Sequence, residues 1–321
     1  MSPRMRSLRM SLFQKPSADS LSNLSPLSWS DFFDSAEDIT TSRGPFRLYS
    51  TTFSTQKAVV FSVHGASYSS LSFAPLAKRM KSDYCFLATD LRNHGETAVD
   101  GPLSLQDILD DLNSIISSVS SRFPNPTKLF LLGHSLGGSV ISHLSRELSC
   151  SSFDLRGLVC IDVCENTAIE SLPFLKNYLD NRPVEFRSLK SAIKWAKSSK
   201  SINGEEALRV HVPSLLKPTD KGTLVWRASS SMLLDNECYW KQWFEGSFRR
   251  FVEFSNGKLM VLANIDRLDR DATIQQMAGK FQVEVVRNVG HSVHEDAPDN
   301  VAQILQVFFE RYSKDLPFVN K

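Results

Sequence analysis

The chain has 321 residues, a formal charge of +2, 41% hydrophobic and 22% charged residues. That is the composition of a globular protein with a sizeable core; without long basic blocks it argues against a nucleic-acid partner, and without an apolar run of about 18 residues it argues against a membrane span. Five cysteines, odd in number and with no C-x-x-C pair, fit neither a disulfide framework nor a zinc site and point to a reducing compartment: the cytoplasm, with the nucleus as second location.

Residues 1–27 are expected to form a flexible, basic, Ser-rich tail. Arg4, Arg6, Arg9 and Lys15 all precede the first acid, Asp19. Such a composition also resembles a mitochondrial transit peptide, but no long amphipathic stretch accompanies the arginines, so a disordered tail is favoured. From Phe46 onward, short apolar runs alternate with helix-like segments, which predicts βαβ units and a mainly parallel sheet. Residues 46–52 alternate like an edge strand. Residues 57–63, 85–89, 129–132, 158–163, 259–265 and 283–289 are the candidate central strands. After the second of these, S-L-Q-D from Ser104 resembles a capping box with Asp107 in place of the usual glutamate. It opens an amphipathic helix through Val119 with Ile108, Leu112, Ile115 and Val119 on one face.

Directly after the run at 129–132 comes Gly133-His134-Ser135-Leu136-Gly137, a G-x-S-x-G string between a strand and a helix-compatible stretch. By chance such a string is expected about 0.1 times in a chain of this length, so the pentapeptide is suggestive and its context decides. A serine hydroxyl attacks only when a base takes its proton, and a sharp strand-to-helix turn lifts it out of the sheet toward one. Both flanking glycines relieve the crowding of that turn, and Gly138 lets the next helix approach the sheet. Acyl transfer then needs a base, an acid to orient it and donors for an oxyanion. The Leu136 N–H is the expected first donor. The second is expected from His64-Gly65-Ala66-Ser67, after the strand at 57–63, with Ala66 as the candidate. His94, in D-L-R-N-H-G from Asp90, reads as a structural loop residue.

Residues 165 to about 250 hold no convincing strand and four of the five tryptophans, which predicts a helical cap over the pocket on a domain spanning 28–321. Each tryptophan alone is better explained as glue between cap and body. His291 follows the last strand in V-G-H-S-V-H-E from Val289 and is the expected base, with His294 its neighbour and competitor. For the acid two positions stay open: Asp266, past the strand at 259–265, and Asp162, at the end of the strand at 158–163. The unused one is expected to pair with Arg267 or Arg270. Downstream, D-A-P-D from Asp296 opens a final helix with proline in its first turn. The chain order serine, acid, histidine predicts an α/β-hydrolase fold: a mainly parallel central sheet flanked by helices, with a helical cap. Motifs for phosphate or zinc binding are absent from the sequence, and a serine triad needs no cofactor.

Several strings are more specific. They are S-P-L-S-W-S-D-F-F from Ser25, D-L-R-N-H-G-E-T from Asp90, I-D-V-C-E from Ile161 and R-P-V-E-F-R-S-L from Arg182. Y-W-K-Q-W-F from Tyr239, D-R-L-D from Asp266, Q-M-A-G-K-F-Q from Gln276 and G-H-S-V-H-E-D-A-P from Gly290 complete the set. Over about residues 25–312 the chain closely resembles the protein phosphatase methylesterase family. The resemblance implies Ser135 as nucleophile, Asp162 as acid and His291 as base. It also implies, as substrate, the methyl ester on the C-terminal leucine of the type 2A protein phosphatase catalytic subunit, with that subunit and its scaffold-bound forms as partners. The family's oxyanion loop usually reads H-G-G-G where this chain has alanine at 66 and serine at 67. Two other readings share much of this pattern: a general small-molecule carboxylesterase or lipase, and a phosphatase-binding inhibitory scaffold.

Overall fold

The computed structural model describes residues 24–53 and 58–314. Most of the tail expected over 1–27 lies outside the described residues, as does Lys57 at the start of an expected strand.

Strand β1 (Ser35–Thr41) turns back on β2 (Gly44–Ser50). β3 (Val59–Val63) is followed by helix α1 (Ala74–Met80) and β4 (Cys85–Thr89). Helix α2 (Leu105–Ser120) leads to β5 (Thr127–His134), α3 (Leu136–Glu147) and β6 (Phe153–Ile161). The sheet then pauses for residues 165–253. They hold helices α4 (Glu165–Glu170), α5 (Leu172–Asn181), α6 (Leu189–Ser198), α7 (Glu205–Ser214), α8 (Ser230–Asp235), α9 (Glu237–Phe244) and α10 (Ser247–Glu253). Among these helices run three short strands, β7 (Glu185–Phe186), β8 (Leu216–Pro218) and β9 (Leu224–Trp226). The main sheet resumes with β10 (Gly257–Leu262), α11 (Arg270–Met277) and β11 (Gln282–Val285). Helices α12 (Val293–Asp296) and α13 (Pro298–Ser313) close the fold.

The eight main strands lie in the order β1-β2-β4-β3-β5-β6-β10-β11, antiparallel at β1, β2 and β4 and parallel from β4 onward. Every residue of β3 and β4 is buried. Because side chains alternate between the two faces, such a strand reads as one continuous apolar run. On one face Val59, Phe61 and Leu131 join the apolar stripe of α2, Ile108, Leu112 and Ile115. On the other, Val60, Phe130 and Val261 pack against Leu76 of α1 and Leu305 and Phe309 of α13.

Three expectations need correction. Residues 46–52 are not the edge: β1 pairs along the outer side of β2. β1 leaves almost no apolar pattern in the sequence, because only Ile39 of its seven residues is buried. The segment from 165 does contain strands, in a separate sheet ordered β7-β9-β8. Two or three residues long, they are too short to show a period. Asp296 does not cap the last helix. The N-cap position of that helix is Ala297 and makes no side-chain cap, whereas the Asp296 carboxylate accepts from backbone N–H groups of Asn203, Gly204 and Gly290. All five cysteines are free thiols, with Cys85, Cys160 and Cys164 buried. No helix among the described residues is long and apolar enough to cross a membrane.

Candidate active site

Parallel strands present their carboxyl ends on one side of the sheet, and loops leaving that side are where α/β folds assemble sites. Ala66 lies in the loop after β3, Ser135 directly follows β5, Asp162 follows β6 and His291 lies beyond β11.

Ser135 has φ 51° and ψ −120°, a conformation side chains rarely adopt and one that costs about 1–3 kcal/mol. The turn is over-determined. Its N–H donates to Ile161 O at 3.0 Å. A Cβ on Gly133 would lie 2.2 Å from Gly137 O, and one on Gly137 would lie 2.0 Å from Val63 O. Both glycines are therefore required by close approach. Ser135 precedes α3 without using its hydroxyl as a cap, which leaves Oγ for other partners. Leu136 opens α3, so its N–H has no carbonyl four residues back to bond. Among the described residues, neither it nor the Ala66 N–H donates to a backbone carbonyl.

Asp162 sits at φ 50° directly after β6, its side chain fully buried. Its Oδ2 accepts from His291 Nδ1 at 2.7 Å, and its Oδ1 from the Ala263 N–H at 2.9 Å. Because the carboxylate accepts a hydrogen bond from Nδ1–H, it selects the tautomer whose Nε2 lone pair is free to act as a base. The Arg267 guanidinium lies 3.6 Å from Oδ2. Asp266 is exposed, and its carboxylate accepts from the Asn264 side-chain amide. The structure thus brings Asp162, not Asp266, to His291, and sets Arg267 beside the acid in contact rather than beside the other one.

His294 is buried and away from this contact, stacked on Phe73 at 4.6 Å and His134 at 4.7 Å. Burial pushes both His294 and His134 well below the usual histidine range, which keeps them neutral. His134, the variable residue of the G-x-S-x-G string, carries a function the sequence did not suggest: Nε2 donates to the His291 carbonyl at 3.0 Å. His94 is a loop residue, as expected. Its Nε2 accepts the Ser67 N–H at 3.1 Å, bracing the loop after β3, and burial pulls its pKa down to about 3.

Ser135, Asp162, His291, Leu136 and Ala66 all line one cavity of about 540 Å³. Its apolar wall includes Leu172, Phe174, Leu175, Trp243 and Phe244 from the inserted helices, and Lys200 and Arg267 supply its positive charge. Of the four tryptophans in 165–253 only Trp243 reaches it. Trp195 and Trp226 pack 5.6 Å apart in the insertion's own core.

Residues 59–304 match the family model described as Alpha/beta hydrolase family. Protein phosphatase methylesterase 1 of Schizosaccharomyces pombe is 38% identical, over 77% of this chain and 73% of that protein. The human protein of the same name is 33% identical, over 90% of this chain and 86% of its own length. Among solved structures, E-2-(acetamidomethylene)succinate hydrolase superposes with a TM-score of 0.71 at 20% identity, covering 86% of this chain and 99% of that one. At that identity the likeness speaks for the fold alone.

Proposed function

Because the chain belongs to the protein phosphatase methylesterase family of α/β hydrolases, we propose that it removes the methyl ester from the C-terminal leucine of the type 2A protein phosphatase catalytic subunit. Ser135, His291 and Asp162 act as the triad. The observation that carries this reading is the 2.7 Å bond from His291 Nδ1 to Asp162 in the cavity that also exposes Ser135.

His291 Nε2 takes the Ser135 proton as Oγ attacks the ester carbonyl carbon. The N–H groups of Leu136 and Ala66 hold the tetrahedral oxyanion, each worth about 3 kcal/mol in comparable sites. His291 then protonates the methoxy oxygen, since methoxide leaves poorly, and methanol departs from the acyl-enzyme. Water attacks the acyl carbon with His291 again as base, Ser135 recovers its proton, and the free carboxylate is released. Asp162 fixes the ring's tautomer and stabilises the imidazolium formed in each half-reaction.

The helices of 165–253 act as the cap, and their apolar wall suits a leucine side chain.

The test is demethylation of methylated phosphatase catalytic subunit by wild type, Ser135→Ala and Asp162→Asn, with an aryl ester as control. Asp162→Asn is expected to lose about 10⁴-fold in kcat and Ser135→Ala about 10⁶-fold, on both substrates. Aryl-ester turnover by wild type without demethylation would overturn the substrate assignment. Full activity of Ser135→Ala would overturn the mechanism.

A further inference from the structure

A second buried histidine–carboxyl pair lies behind the triad, and it joins the inserted helices to both loops that carry catalytic groups. His211, on α7, has no exposed surface, and its Nδ1 lies 2.7 Å from Glu295 Oε1 on α12. The Ser69 N–H points at the other ring nitrogen, Nε2, at 3.3 Å. An N–H can only donate, so Nε2 is the acceptor and the ring proton resides on Nδ1, donated to Glu295. The chain of bonds runs from Glu295, four residues after His291, through His211 to Ser69, three residues after Ala66.

The surroundings repeat the connection. Tyr68 stacks on His211 at 5.1 Å and on His134 at 5.0 Å, and its hydroxyl lies 2.7 Å from Ser292 Oγ, beside His291. Ser69 Oγ lies 2.6 Å from Ser214 Oγ at the end of α7. Glu295 Oε2 is buried and has no hydrogen-bond partner among the described residues. For stability alone this is a poor arrangement, because an apolar pair of similar volume packs without leaving a polar atom unsatisfied. A group kept at a cost in stability at such a junction has a geometric task.

We propose that His211 and Glu295 are positioning residues that lock the base loop and the oxyanion loop to α7, holding His291 and the Ala66 N–H in register over Ser135. This rests on the triad reading above. His211 touches no reacting atom; it acts through Ser69 and Glu295.

The experiment uses the full chain. The fraction of competent sites is first titrated with a fluorophosphonate, and kcat and KM for a small aryl ester are then measured per titrated site. His211→Phe keeps ring volume and removes both bonds. It is expected to lower kcat per site by between about 10- and 100-fold with KM within about twofold, since small misplacements of reacting groups cost that much. Glu295→Gln keeps an acceptor oxygen and is expected to lose only about threefold, as a neutral acceptor is weaker. The double variant should be no worse than His211→Phe, because one chain of bonds is cut once.

Wild-type kcat per site in folded His211→Phe overturns the proposal, as does a loss confined to the titrated fraction or to KM. Should His211→Phe fail to fold, Glu295→Gln decides: unchanged kcat per site overturns the proposal. Ser135→Ala is run alongside. Activity there removes the triad reading itself, whereas an inactive Ser135→Ala beside a wild-type His211→Phe removes only the positioning role.

Discussion

Ala66 offers its N–H from a backbone outside the left-handed region, while its neighbour Ser67 lies at φ 63°. The conformational need for glycine in this loop therefore falls on the following residue, and an alanine at 66 costs the donor nothing. Ala66→Gly is expected to keep aryl-ester kcat within about twofold, because the donor is a backbone group. A loss well beyond that would mean the methyl group itself orients the loop. The two acids separate by where their strands stop. β6 ends at Ile161, so Asp162 emerges at the rim of the sheet; β10 ends at Leu262, and the turn after it carries Asp266 out to solvent. Chain order alone could not distinguish them, because a one-letter sequence shows that an acid follows an apolar run but not at which residue pairing ceases. Asp266→Asn is accordingly expected to retain activity within about twofold, against the loss of about 10⁴-fold expected of Asp162→Asn, in the same kinetic assay.

At the scale of elements, D-L-R-N-H-G-E-T from Asp90 is a latch that braces the loop after β3 against α2. Asp90 accepts from the Ser70 N–H at 2.7 Å and the Glu96 N–H at 2.8 Å, and His94 accepts from Ser67. Arg92 grips Asp111 of α2 through two bonds, 2.6 Å and 2.8 Å, and both residues are buried. Arg43 of the β1–β2 turn reaches the same carboxylate at 2.6 Å. Removing Asp111 would strip the buried Arg92 guanidinium of its bidentate carboxylate and leave it the Pro102 carbonyl at 3.0 Å and Asp107 at 3.4 Å, so Asp111→Ala is expected to destabilise the fold by about 3 kcal/mol, measured by urea unfolding. A loss under about 1 kcal/mol would show that Arg92 finds water or Asp107 instead. The helix α2 was legible because its apolar face repeats at helical spacing and Ser104 caps it, Oγ accepting the Asp107 N–H. The return half of the predicted box differs: Asp107 Oδ2 accepts from the Ser104 hydroxyl rather than from its N–H. The latch itself was visible only as a string, since its partners lie on other elements and no periodicity marks a loop.

Over the whole molecule, the sheet was largely legible and the insertion much less so, for one physical cause. Parallel strands buried on both faces write themselves as short apolar runs, whereas the inserted elements bury one narrow stripe each, some around a core of their own and others against the main sheet's core. The same depth of burial that makes the sheet readable places several histidines where charge is expensive. Burial takes His64 and His94 down to about 3 and His143 down to about 4, from an ordinary value of 6.5. With folded values depressed, the unfolded chain binds more protons between pH 6.5 and those values. Stability is therefore full above about pH 6.5 and is lost as pH falls toward 4, each such histidine adding at most about 1.4 kcal/mol per pH unit to the slope. The lowered carboxylates add little to that loss at the top of the window, since the proton uptake of Asp34, Asp107 and Asp299 centres at or below 3.8 and that of Glu253 at or below 4.5. Asp90 is raised by burial and works in the opposite sense. His143 isolates the histidine contribution. It is buried, its Nε2 has no hydrogen-bond partner among the described residues, and it lies on α3 away from the cavity. His143→Leu is expected to unfold in urea with a shallower pH dependence between 6.5 and 4, by about one proton's worth of slope. Parallel curves for the variant and wild type would mean that His143 accepts its proton without unfolding, through local opening of α3.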